Sequence, residues 1–88
     1  MIIIDFDRNV LGWSKFKEVN CHFLMRQMDY FKELLLARGY LYINTIYETL
    51  GAEWNPDNEN ICIGSVDKFT YELVPTIGSD YLIKINYA

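Results

Sequence analysis

Apolar residues recur at spacings of three and four through residues 15–38, and this pattern predicts a long amphipathic helix. Ser14 is the expected N-cap residue, and Gly39 stands where a C-terminal cap is expected. Charged residues fill the opposite side, so one face should pack against the rest of the protein. The residues expected on the apolar face are Phe16, Val19, Phe23, Leu24, Met28, Phe31, Leu34 and Leu35.

A short strand is predicted before this helix and a short helix after it. Residues 2–6 (Ile-Ile-Ile-Asp-Phe) are β-branched and aromatic, which favours a strand. Asn44 is a good N-cap for a helix over residues 45–50, and Gly51 is its expected stop. Residues 40–43 are compatible with either a short strand or the entry to that helix.

Three strand-like runs follow, over residues 61–66, 69–75 and 81–87. Turn-forming residues separate the runs, which predicts a three-stranded antiparallel meander. Helices followed by strands indicate an α+β fold, here one domain over residues 1–88 with the long helix packed on the sheet. The N-terminal strand is expected to join the sheet at an edge or beside the C-terminal strand.

Composition places the chain among folded proteins, since 51% of its residues are hydrophobic and 16% are aromatic. No apolar stretch approaches the roughly 20 residues that a membrane span needs, and residues 1–5 lack the basic region of a signal peptide. Two cysteines are too few for a disulfide scaffold. We therefore expect a cytoplasmic protein with reduced thiols and no membrane partner.

The net charge of −4 is unevenly distributed along the chain. Residues 39–67 carry five acidic side chains and no Lys or Arg. Proteins bind nucleic acid non-specifically through Lys and Arg, so this balance argues against direct nucleic-acid binding. The outline of residues 39–51 resembles a winged helix, but its short helix offers Glu48 and no basic residue for a DNA groove. An acidic stretch favours basic partners or is simply a solvated face.

Asp5-Phe6-Asp7 follows a run of isoleucines and resembles the first motif of haloacid-dehalogenase-like phosphatases. In that family the first carboxylate is a nucleophile and the second a general acid, with Mg²⁺ at the phosphate. Asn9 stands where the family has Thr or Val, and the chain is too short for the family's doubly wound sheet. We therefore expect two solvent-facing carboxylates at a strand end and no catalytic residues.

Cys21, His22 and Cys62 are the residues from which a zinc site would have to be built. Structural zinc sites use four ligands in paired spacings, and neighbouring helix positions point about 100° apart. The cysteines are better explained as small apolar side chains. The sequence therefore predicts no metal site and no cofactor.

From about Phe23 to the C-terminus the chain is similar to the C-terminal domain of uncharacterised phage and prophage proteins of Gram-positive gut bacteria. The likeness lies in residues 36–40 (Leu-Ala-Arg-Gly-Tyr), 43–51 (Ile-Asn-Thr-Ile-Tyr-Glu-Thr-Leu-Gly) and 82–87 (Leu-Ile-Lys-Ile-Asn-Tyr). Members of that family often carry Gly-Trp after the Leu-Gly pair, whereas here the Gly-Trp pair is Gly12-Trp13. The resemblance implies a phage origin, hence the cytoplasm of a bacterial host, and names no activity.

These patterns predict a small non-enzymatic protein-interaction module of phage or mobile-element origin, whose partner is itself or a host protein. Self-association to a homodimer is favoured because Cys21, Met25 and Tyr30 leave apolar surface off the main helix stripe. An alternative is an inhibitor of a bacterial defence system, similar to an anti-CRISPR protein, that sets an acidic surface against a nucleic-acid channel. A further alternative is a small phosphohydrolase built on Asp5 and Asp7. The expected contact residues are Glu48, Glu53, Trp54, Asp57 and Glu59.

Overall fold

The computed structural model describes residues 1–53, 56–58 and 61–87, with the side chain of residue 58 left aside. The order of elements confirms the expected α+β class, with a strand, a long helix and a short helix followed by further strands. Short 3-10 turns at Pro56–Asn58 and Val66–Lys68 interrupt the second half. The strands and helices are β1 (Ile2–Phe6), α1 (Lys17–Arg38), β2 (Leu41–Tyr42), α2 (Ile43–Leu50), β3 (Cys62–Ile63), β4 (Thr70–Pro75) and β5 (Tyr81–Asn86).

In the described part of the chain the larger sheet has three antiparallel strands in the order β1-β5-β4. Ile4 of β1 and Leu73 of β4 both lie opposite Ile83, which places the C-terminal strand in the centre. The N-terminal strand therefore lies at an edge and also beside the C-terminal strand. Since β1 alternates buried and exposed residues, only one face of this sheet lies against the core.

The first of the three predicted strand runs pairs differently from the expected meander. Only Cys62–Ile63 of residues 61–66 forms a strand, and it pairs with β2 rather than with β4. Ser65 explains the break, because its Oγ accepts a hydrogen bond from the Asp67 N–H at 3.2 Å and opens a 3-10 turn. The turn redirects the chain before β4 begins, so β3 and β4 belong to different sheets.

Helix α1 covers the inner face of the larger sheet with a stripe of four apolar side chains. Leu24, Met28, Phe31 and Leu35 are buried at the expected spacing of four, three and four residues. Phe16 and Val19 were expected in this stripe, but they are 59% and 51% exposed. The inward position at the start of the helix is taken instead by Asn20, which is fully buried.

Both predicted glycine caps are confirmed, and both predicted N-caps are wrong. Gly39 and Gly51 end their helices in the left-handed conformation, at φ 79° and 78°. Helix α1 begins after Phe16 because Ser14 forms an earlier turn, in which its Oγ accepts the Phe16 N–H. Helix α2 begins after Tyr42, so Asn44 lies inside the first turn. Within the described residues, no helix has the length and apolar character needed to cross a membrane.

Candidate functional site

The residues predicted to contact a partner are only partly described. Glu48 is exposed on α2, Glu53 is exposed just after it, and Asp57 is exposed in the turn Pro56–Asn58. Trp54 and Glu59 lie outside the described residues. Of the five predicted contact residues, the structure therefore describes three, and all three are carboxylates.

Glu53 shares a surface groove with the two aspartates of the N-terminal Asp-Phe-Asp motif. The groove, of about 380 Å³, runs along β1 and beneath the end of α2, and we call it the acidic groove. Among the described residues that line it, Asp5, Asp7 and Glu53 carry carboxylates and none is basic. Its remaining lining residues are Ile3, Ile4, Asn9, Val10, Tyr47 and Ala52.

Two tight turns bring Glu53 to the same groove as Asp5 and Asp7, although it is far from them in the sequence. Asp7 Oδ1 accepts the Asn9 N–H and its carbonyl accepts the Val10 N–H, both at 2.9 Å, so the chain folds back at the end of β1. At the end of α2, Gly51 turns the chain in the left-handed conformation. A side chain at Gly51 would lie 3.0 Å from the Cβ of Leu11, so the two turns pack directly on each other. This contact sets Glu53 beside β1.

The three residues considered for a zinc site, Cys21, His22 and Cys62, do not converge on one point. No group of three or more His, Cys, Asp or Glu side chains is placed to hold a metal ion in the described part of the chain. Cys62 is exposed on β3, whereas Cys21 lies on α1 with its Sγ 4.0 Å from the Sδ of Met25. His22 points away from Cys21 around the helix and lines a different groove.

A second surface lies along one flank of α1, and we call it the α1 flank. Val19, Phe23 and Tyr30 lie on it at spacings of four and seven residues, which places them on one side of a helix. Val19 is 51% and Tyr30 is 45% exposed, and Phe23 is half-buried. A shallow groove of about 490 Å³ lies here, lined by Val19, His22, Phe23, Arg26 and Gln27. Met25 and Cys21, grouped with Tyr30 in the sequence prediction, lie on the opposite flank.

A polar corner near the start of α1 was missed by the sequence reasoning. The buried Asn20 accepts the Ser14 N–H at 2.7 Å and donates to the carbonyls of Ser14 and Ser79 at 2.7 and 2.8 Å. Beside it, Trp13 and Asp80 border an open cavity of about 610 Å³. The sequence did contain a signal for this corner. Asn20 stands four residues before Leu24, which is an inward position of the apolar stripe.

Comparison with known proteins gives no relative: no family model, curated protein or solved structure matches this chain. The resemblance to phage and prophage domains therefore stays a prediction.

Proposed function

We propose that this chain is a protein-interaction module that self-associates through the α1 flank. The observation that carries the proposal is the half-exposed apolar row of Val19 and Tyr30 beside Phe23. Partly exposed apolar side chains with charged side chains at their border, as on this flank, are typical of an interface. On this proposal the protein acts by contact rather than catalysis, in the cytoplasm, and the resemblance to phage domains supports a phage or mobile-element origin.

The charges beside the apolar row support an antiparallel pair of α1 helices. Arg26 and Glu33 are both exposed and lie seven residues apart, so they border the flank on the same side. In an antiparallel dimer with its two-fold axis near Tyr30, Arg26 of each copy faces Glu33 of the other. A two-fold interface is self-complementary in this sense, since each contact occurs twice.

The experiment is sedimentation velocity over a range of protein concentrations. Tyr30→Glu places a charge at the axis and should yield a monomer. Arg26→Glu and Glu33→Arg should each weaken the dimer, because like charges then face each other, and the double swap should restore it. Leu36→Glu is the matched control, because Leu36 is 71% exposed on the other side of α1.

Two outcomes contradict the proposal. One is a wild-type protein that remains monomeric at the highest concentration reached. The other is a dimer that Leu36→Glu disrupts while Tyr30→Glu leaves it intact, since this would place the interface on the other flank.

The second candidate function is inhibition of a bacterial defence nuclease by an acidic surface. It is supported by the exposure of Glu48, Glu53 and Asp57 in a stretch, residues 39–67, that has no basic residue. Such a surface competes with nucleic acid for a basic channel. The test is nucleic-acid cleavage by a purified RNA-guided nuclease, with the wild-type protein and with all three acids reversed to Lys. Inhibition that survives the reversal contradicts this function.

A further inference from the structure

We propose that β1 and the acidic groove bind an extended, basic polypeptide segment, which adds to the sheet as a fourth strand. This inference goes beyond self-association, because it concerns another surface and another kind of partner. It combines the pairing of β1, the position of the groove and the charge of its lining residues.

β1 is an edge strand. In the described part of the chain it pairs with β5 on one side and with no strand on the other. An edge strand presents unpaired N–H and C=O groups at alternate residues, and these form a template for an added strand. β1 is five residues long, so it offers a ladder of about 17 Å.

The acidic groove lies on this unpaired side. Three consecutive residues of β1, Ile3, Ile4 and Asp5, line it, and no residue of β5 does. Tyr47 of α2 and Ala52, just after that helix, also line the groove and lie outside the sheet. A segment lying in the groove therefore has both the backbone of β1 and these two residues within reach.

The charges of the groove determine the chemistry of the segment. Asp5, Asp7 and Glu53 supply three carboxylates, and Arg8, the nearest basic residue in sequence, lines the neighbouring cavity instead. Side chains of an added strand alternate between two faces. The fitting occupant thus carries Lys or Arg at every second position, facing the carboxylates, and aliphatic residues between them, facing Ile4 and Tyr47.

The probe is a capped peptide of alternating lysine and valine as long as β1, and binding is followed by backbone amide chemical shifts and titration calorimetry. Amides of β1 and of residues 52 and 53 should shift. The triple variant Asp5→Asn, Asp7→Asn, Glu53→Gln should bind about tenfold more weakly, since three exposed charge pairs are lost. The control variant Glu18→Gln, Asp29→Asn, Glu72→Gln removes three exposed acids elsewhere, including one on the edge strand β4, and should bind like wild type.

Peptide N-methylation separates strand addition from simple charge attraction. Methylating the backbone at one set of alternate residues should abolish binding, and methylating the other set should not, because only one set of N–H groups faces β1. The proposal is overturned by any of three results. These are no binding of the peptide, equal loss of binding in the control variant, or equal effects of the two methylation patterns.

Discussion

The indole Nε1 of Trp13 donates a hydrogen bond of 3.0 Å to Oδ1 of Asp80. The two residues are 67 positions apart, and the bond ties the loop after β1 to the loop between β4 and β5. The same loop after β1 also carries Asp7 and Leu11, whose turn contacts shape the acidic groove. The Trp13 contact therefore helps to anchor a segment on which the proposed peptide site depends.

Replacing Asp80 should loosen this anchor. Asp80→Ala removes the acceptor of the Trp13 indole and should lower the free energy of unfolding by about 1–2 kcal/mol. Asp80→Asn keeps a side-chain oxygen that can accept the indole N–H, so its free energy of unfolding should fall by less. Urea denaturation followed by tryptophan fluorescence measures both, and an alanine variant as stable as wild type would contradict the prediction.

Asn20 should be among the residues least tolerant of an apolar substitute. Asn20→Leu keeps the branching at Cγ but leaves the Ser14 N–H and the carbonyls of Ser14 and Ser79 without this partner. The expected loss is about 2–4 kcal/mol of unfolding free energy, measured by chemical denaturation. Asn86→Ala, at an exposed asparagine of β5, is the control and should change stability by less than about 0.5 kcal/mol.

Gly12 is closely approached by an aromatic ring. A Cβ at Gly12 would lie 2.6 Å from Cζ of Phe23, whose ring stacks on Phe6 at a centroid distance of 5.7 Å. Gly12→Ala should therefore cost about 1–3 kcal/mol in a thermal or urea denaturation experiment.

Two variants test that reason for the cost of Gly12→Ala. Gly64→Ala should be tolerated, because a Cβ at Gly64 meets no atom within 4 Å. Adding Phe23→Leu to Gly12→Ala should recover part of the loss, since the smaller side chain frees the space. If the two changes act independently, the double variant loses the sum of the two single losses in stability. A double variant that is no more stable than this sum predicts would speak against the steric explanation.

Tyr81 gives the protein a defined alkaline sensitivity. Burial first, and then a hydrogen bond and charge interaction with Cys21, raise the pKa of the Tyr81 hydroxyl above its ordinary value of 10.0. The folded state thus holds the proton more tightly than the unfolded state. The contribution of the Tyr81 hydroxyl to stability is therefore fully present below pH 10 and is lost as the pH rises through the raised pKa.

An ultraviolet titration of tyrosine ionisation should resolve this group. Tyr81→Phe should remove the late-titrating component. Cys21→Ala should move it toward pH 10, because part of the shift comes from the thiol. Identical curves for wild type and Cys21→Ala would show that the thiol makes no contribution.

The sequence was informative where one short segment decides the structure. Leu24, Met28 and Leu35 follow a helical period, and Gly39 and Gly51 occupy a backbone conformation that other residues adopt at a cost. These features need no knowledge of distant residues, and they were predicted.

Features that depend on distant residues were missed. Val19 is exposed because Asn20 takes the inward position, held there by the carbonyl of Ser79 in another part of the chain. β3 pairs with β2 because the turn at Ser65 separates it from β4. Glu53 was predicted as a contact residue without its neighbours Asp5 and Asp7, since the packing of two turns brings them together.

The central position of β5 has a consequence for the order in which the protein can fold. β1 and β4 both pair with β5, which comes after them in the chain. During synthesis, α1 and α2 can form early from local contacts, but the larger sheet has to wait until residue 86 has left the ribosome. Because β1 then closes the longest loop in the molecule, docking of that strand is the step we expect to limit the folding rate.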